Sequence, residues 1–141
     1  MRRSLLYTLL RLGRVPKAAR SALEGEGVVL LDEGLRGSVT LESFRAPGRY
    51  HSSKGSVFAG SLVLTRARFA AFAFSRPIVN VPLADDRLEA LQVSAPEPGL
   101  LRIELDVSRF HDGWSGTVTC RFRTAHAEEI VERLAKDGRA A

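Results

Sequence analysis

The amino-acid sequence predicts a mainly β domain, a near-barrel of about seven antiparallel strands capped by a C-terminal helix and preceded by an N-terminal helical segment. Two observations carry most of this expectation. Leu101, Ile103, Leu105 and Val107 alternate with Arg102, Glu104, Asp106 and Ser108, and Val118, Cys120 and Phe122 alternate with Thr117, Thr119, Arg121 and Arg123. That period of two is the mark of strands with one buried face. Directly afterwards the period becomes 3.6, with Ala127, Ile130, Val131 and Leu134 on one helical face. A strongly twisted antiparallel sheet of that length bends over to hide its edges, and an amphipathic helix then covers the wet end.

The other elements follow in order. Leu5, Leu6, Leu9, Leu10 and Leu12 gather on one side of a helix over 2–12, with Arg3, Arg11 and Arg14 opposite. Gly13 and Pro16 break it, and Pro16 opens a second short helix ending near Leu23. Gly25 and Gly27 then separate a basic segment, 1–24, from a domain over 25–141. From Val28 the period is two. Residues 46–56 read as a polar loop of turn formers, and 60–65 with 68–74 as a hairpin. A strand over 79–83, a further strand near 87–94 and a turn at Pro96-Glu97-Pro98-Gly99 come next. Thr124 is placed to cap the last helix, Glu128 and Glu129 suit its first turns, and Gly138 is placed to stop it.

Charge is unevenly spread. The chain carries 21 basic and 16 acidic residues. Six of the basic ones and none of the acids fall in residues 1–20, which leaves 15 basic against 16 acidic for the rest. Residues 36–76 hold seven basic groups and only Glu42. A near-neutral body with a basic segment and a basic half suits an anionic surface as partner.

Residues 28–137 resemble bacterial PH-like domains of the pleckstrin-homology/GRAM type. The run Gly60-Ser61-Leu62-Val63-Leu64-Thr65-Arg66-Ala67-Arg68-Phe69 is similar to their "G-x-L-x-L-T-x-x-R-h" hairpin, and Val81-Pro82-Leu83 to their "h-P-L" element. Asp85-Asp86-Arg87 departs from the pattern, standing where an "x-I-x-x-V" element is common. The resemblance implies a near-barrel and a lipid- or protein-binding module rather than an enzyme; a shared fold does not fix a function.

By that resemblance, Arg45, Arg49, His51 and Lys54 are the candidate anion-binding residues, on a loop whose cations grip a phosphate. The plainer alternative is a solvated loop of ordinary charges. Arg3, Leu6, Leu9, Leu10, Arg11, Arg14 and Trp114 are the candidate membrane or partner contacts. The leucines suit a membrane interface, but packing on the domain itself or on a second subunit is the plainer reading, since leucine stripes more often make protein contacts. Trp114 either inserts into a partner or folds back on the core. The expected partners are therefore an anionic lipid surface, or a protein partner or second copy meeting the leucine face or a sheet edge.

Other chemistries find little footing. His51, His111 and His126 are scattered without a zinc-like ligand cluster, so neither metal nor cofactor is expected. Cys120 alternates inward with Val118 and Phe122, as a core residue does. Gly55-x4-Gly60-Ser61 lacks the lysine of a phosphate loop. Phe69, Phe72 and Phe74 sit in apolar sequence instead of on an exposed basic sheet, which argues against nucleic acid. One cysteine and the six-residue apolar run Leu5–Leu10 point away from secretion, so the expected location is cytoplasmic, with peripheral attachment at the inner membrane surface if lipid is the partner.

Overall fold

The computed structural model describes Val15 and residues 17–140. Helix α1 (Lys17–Gly25) leads into strands β1 (Val28–Ala46), β2 (Arg49–Thr65), β3 (Arg68–Ala73) and β4 (Arg76–Pro82). Strands β5 (Leu91–Glu97), β6 (Leu100–Asp106) and β7 (Ser115–Arg123) follow, then helix α2 (Ala127–Ala140). All seven strands form one antiparallel sheet in the order β4-β3-β2-β1-β7-β6-β5, curled into a half-barrel. The arrangement is the expected one and is consistent with a PH-like near-barrel.

Strand β1 joins the two halves. It pairs with β2 from Val28 to Ala46 and with β7 from Gly37 to Arg45. A flat strand of 19 residues could not follow a closing sheet, and register irregularities bend it, the first between Val28 and Leu30. Register slips against β2 between Asp32 and Leu35, around Gly34 at φ 70°. It slips against β7 between Glu42 and Arg45, around Ser43 at φ 49°, a left-handed conformation that costs a non-glycine residue energy. The bulge at Ser43 changes the alternation: Leu41 and Phe44, three apart, both pack on the core.

The alternating residues behave as their period demands. Leu101, Ile103 and Leu105 of β6 are buried, and so are Val118, Cys120 and Phe122 of β7. In β6–β7 they meet as the cross-strand pairs Leu101–Phe122, Ile103–Cys120 and Leu105–Val118. Ala127, Ile130 and Leu134 of α2 close over β5 and β6 on the same core. The Thr124 hydroxyl accepts the His126 N–H at 3.1 Å in the turn that leads into the helix, two residues ahead of the cap position expected for it. The helix runs through Gly138, which does not end it as expected.

A second, smaller cluster lies on the outer face of the sheet. Leu23 and Ala19 of α1, with Val15, pack on Val63, Ala70 and Phe72 of β2 and β3. Polar ties fix the helix there. Glu33 accepts the Val15 N–H at 2.8 Å and Arg20 at 2.5 Å. Glu26 accepts from Arg68 and Thr65, each at 3.2 Å. The expected short helix after Pro16 is thus present and packed on the sheet. The expected helix over 2–12, with Arg3, Leu6, Leu9, Leu10, Arg11 and Arg14, lies outside the described residues.

Three local expectations are corrected. Residues 46–56 are not a loop: β1 and β2 continue as a hairpin to a tight turn at Pro47-Gly48, with Gly48 at φ 73°. Polar composition misled there, because the β2 side chains from Arg49 to Ser56 are exposed on both faces, with only His51 half-buried. Residues 86–90 form a short 3-10 helix, not a strand, opened by Asp85, whose side chain accepts the Arg87 N–H at 2.8 Å. Strand β5 runs through Pro96 to Glu97, an edge position where a missing N–H is tolerated, so the turn narrows to Pro98-Gly99.

Candidate functional site

The half-barrel has an open side between β4 and the β6–β7 connection. An apolar groove of about 470 Å³ lies there. Its walls come from Phe44 of β1, Ile78 and Val79 of β4, Leu105 of β6, and Phe110 and Trp114 of the connection. Each wall has a local cause. The bulge at Ser43 brings Phe44 onto the core side. A 3-10 turn at Val107–Arg109, capped by Asp106 accepting the Ser108 N–H at 2.9 Å, reverses the chain after β6. The Trp114 N–H then donates to the His111 carbonyl at 3.2 Å, which closes the loop.

The aromatic groups interlock. Trp114 stands edge-on to Phe44, centroids 5.8 Å apart, and stacks on His111 at 4.3 Å. Trp114 is half-buried, so it folds back as a wall of the groove instead of projecting as a bare tip. His51 lies parallel to Phe44 at 6.2 Å.

Cations ring this apolar surface. The Arg49 guanidinium lies 6.0 Å from the Phe44 ring and that of Arg87 5.9 Å from Phe110. Arg87 is also held by Asp85 through contacts of 2.8 and 3.1 Å. This hydrogen bonding holds the Asp85 carboxyl below its ordinary value of 3.8 and keeps Arg87 firmly charged.

The four expected anion-binding residues are therefore on a β-hairpin, and they are not gathered into one cradle. Arg49 and His51 both lie near the Phe44 ring. Arg45 lies over Tyr50, its cross-strand partner, at 4.6 Å. Lys54 stands opposite Leu41, five residues from Arg49, or about 16 Å along a strand. Arg45, Arg49 and Lys54 are exposed. The hairpin thus spreads positive charge over a projecting surface beside an aromatic groove.

Phe44, Phe110, His111 and Arg87 were not singled out from the sequence as one site. Phe110 and His111 could be noticed beside Trp114, but nothing in the sequence pairs them with Phe44. That neighbourhood needs the Ser43 bulge, and serine carries no strong signal for a left-handed backbone.

Cys120 is fully buried and burial pushes its thiol up to about 12, so it is not a nucleophile at neutral pH. Among the described residues no group of three or more His, Cys, Asp or Glu side chains could hold a metal ion. Among them, too, no helix is long and apolar enough to cross a membrane. No protein-family model matches the chain, and no curated protein matches it.

Proposed function

We propose that the protein is a non-enzymatic, PH-like binding module that engages an anionic membrane surface with the β1–β2 hairpin and the adjoining groove. The observation that carries this reading is the juxtaposition at Phe44: an aromatic, apolar groove on one side and the exposed cations of the hairpin on the other. Such a surface suits a ligand with an apolar body and an anionic head, with Tyr50 and Trp114 at the boundary where amphipathic rings are favoured. Because the cations are spread out, they act as a field on many headgroups instead of a clamp on one. The competing use of a sheet edge for a protein partner is less well supported. Pro77 and Pro82 bracket the edge strand β4, and neither can donate to an incoming strand.

Cosedimentation with phosphatidylcholine vesicles, with and without phosphatidylserine, tests the reading. Binding should require phosphatidylserine. Each cation near such a surface contributes about 1 kcal/mol, so Arg45→Ala, Arg49→Ala and Lys54→Ala together should weaken binding on the order of a hundredfold. Unaltered binding by this triple variant would remove the hairpin from the interaction.

A further inference from the structure

The outer face of the sheet is only partly covered. Leu31, Val63 and Ala70 form a cross-strand row through β1, β2 and β3. Helix α1 buries Val63 and Ala70, but Leu31 at the end of the row is 41% exposed. Val28 and Val29 beside it are 41% and 37% exposed. Between Val28, Leu31 and α1 lies a cavity of about 170 Å³, lined by Val15, Leu23, Val28, Leu31 and Val63, with Arg20 and Glu24 at its border. Exposed Val28 and Leu31 over a cavity, with Val29 next to them in the strand, form a patch that a partner would bury.

We infer that this patch is covered by the chain's own N-terminal segment, residues 2–12, through its leucine face. The argument begins at Val15. Its side chain is 4% exposed and lines the cavity, and its N–H is held by Glu33. The preceding residues therefore start at the rim of the patch. They carry Leu5, Leu6, Leu9, Leu10 and Leu12 at helical spacing. As a helix, residues 2–12 would extend about 16 Å, enough to cross the cavity and reach Val28 and Leu31. Tethering two residues away gives this segment a high effective concentration over any partner in solution. Docked this way, the leucines meet apolar surface and Arg3, Arg11 and Arg14 face water, adding to the protein's positive outer charge.

The full chain with Leu31→Cys supplies the test. Cys120 is fully buried, so the introduced thiol is the one open to a bulky maleimide in the folded protein. Labelling should be slow. Adding Leu6→Ser, Leu9→Ser and Leu10→Ser should speed it several-fold while far-UV circular dichroism shows the sheet intact. In a parallel thermal series, Leu31→Ser and the leucine triple should each lower Tm, and their combination should lower it no further than the larger single effect. Equal labelling rates, or additive Tm shifts, would overturn the inference. So would protection that disappears on dilution, which would assign the patch to a second copy. Protection that requires phosphatidylserine vesicles would assign it to a membrane instead.

Discussion

Thr124 donates a 2.6 Å hydrogen bond to the carboxylate of Asp32 across 92 residues of sequence, and both side chains are buried. The same hydroxyl accepts the His126 N–H just ahead of α2. One side chain therefore ties the bend of β1 at Asp32 to the turn that leads into the helix closing the core. Hydrogen bonds to charged groups contribute about 1.5–3 kcal/mol, and a neutral one about 1 kcal/mol. Thr124→Val keeps the shape and removes both, so urea unfolding should show a loss of about 2–4 kcal/mol. Thr124→Ser keeps the hydroxyl and should lose clearly less. No loss in Thr124→Val, with a loss in Thr124→Ser, would mean that the methyl packing, not the hydrogen bonds, matters.

Gly37 lies where β1 meets both neighbours, opposite Phe58 of β2 and Phe122 of β7. Those rings meet edge-on with centroids 5.3 Å apart. A Cβ on Gly37 would come within 2.4 Å of the Phe58 ring and 2.9 Å of the Arg121 carbonyl. Phe58 cannot swing away without disturbing Phe122, so Gly37→Ala should destabilise by about 1–3 kcal/mol. Gly55 on the projecting hairpin has its nearest neighbour at 3.8 Å. Gly55→Ala should be neutral or stabilise by up to about 1 kcal/mol. Thermal unfolding of the pair of variants decides it, and similar shifts for both would discard the packing account.

The contrast between these two glycines shows what sequence alone could supply. Core strands were legible because Leu101–Leu105 and Val118–Phe122 face water on one side only, which writes a period of two. The capping helix was legible through Ala127, Ile130, Val131 and Leu134. The hairpin over 49–56 was not, since both of its faces are wet and its serines and glycine mimic a loop. Trp114 could be flagged by type, but its seat beside Phe44 depends on the bulge at Ser43, a three-dimensional outcome. Arg45, Arg49, His51 and Lys54 were legible as charges, whereas their separation along a strand was not.

Cys120 pairs across the sheet with Val39 and Ile103 and is fully buried. Its thiol is pushed from 9.0 up to about 12 by burial. The folded state therefore keeps a proton that the unfolded state releases above pH 9.0. Stability from this group is whole below pH 9.0 and falls as pH rises toward about 12. Cys120→Ala should flatten that alkaline slope in denaturant titrations. At pH 8, an aromatic disulfide reagent should label Cys120 only at the rate of opening, and rapid native labelling would contradict the burial.

Trp114 is the protein's single tryptophan, and it forms a wall of the groove beside Phe44 and His111. Its fluorescence therefore reports on the groove without labels. If hairpin and groove act together, vesicles containing phosphatidylserine should shift its emission to the blue as water leaves the half-buried ring. The two contributions separate by salt. Field attraction by Arg45, Arg49 and Lys54 is screened over about 8 Å at physiological ionic strength and more tightly above it. Apolar contact in the groove is not screened. Raising salt should thus weaken binding without reducing the spectral shift reached at saturation. Trp114→Phe keeps an aromatic wall and should bind within a few-fold of the parent, while Trp114→Ala should bind more weakly at every salt concentration. Binding that is lost with salt but leaves Trp114 emission unmoved throughout would restrict the interaction to the hairpin and exclude the groove.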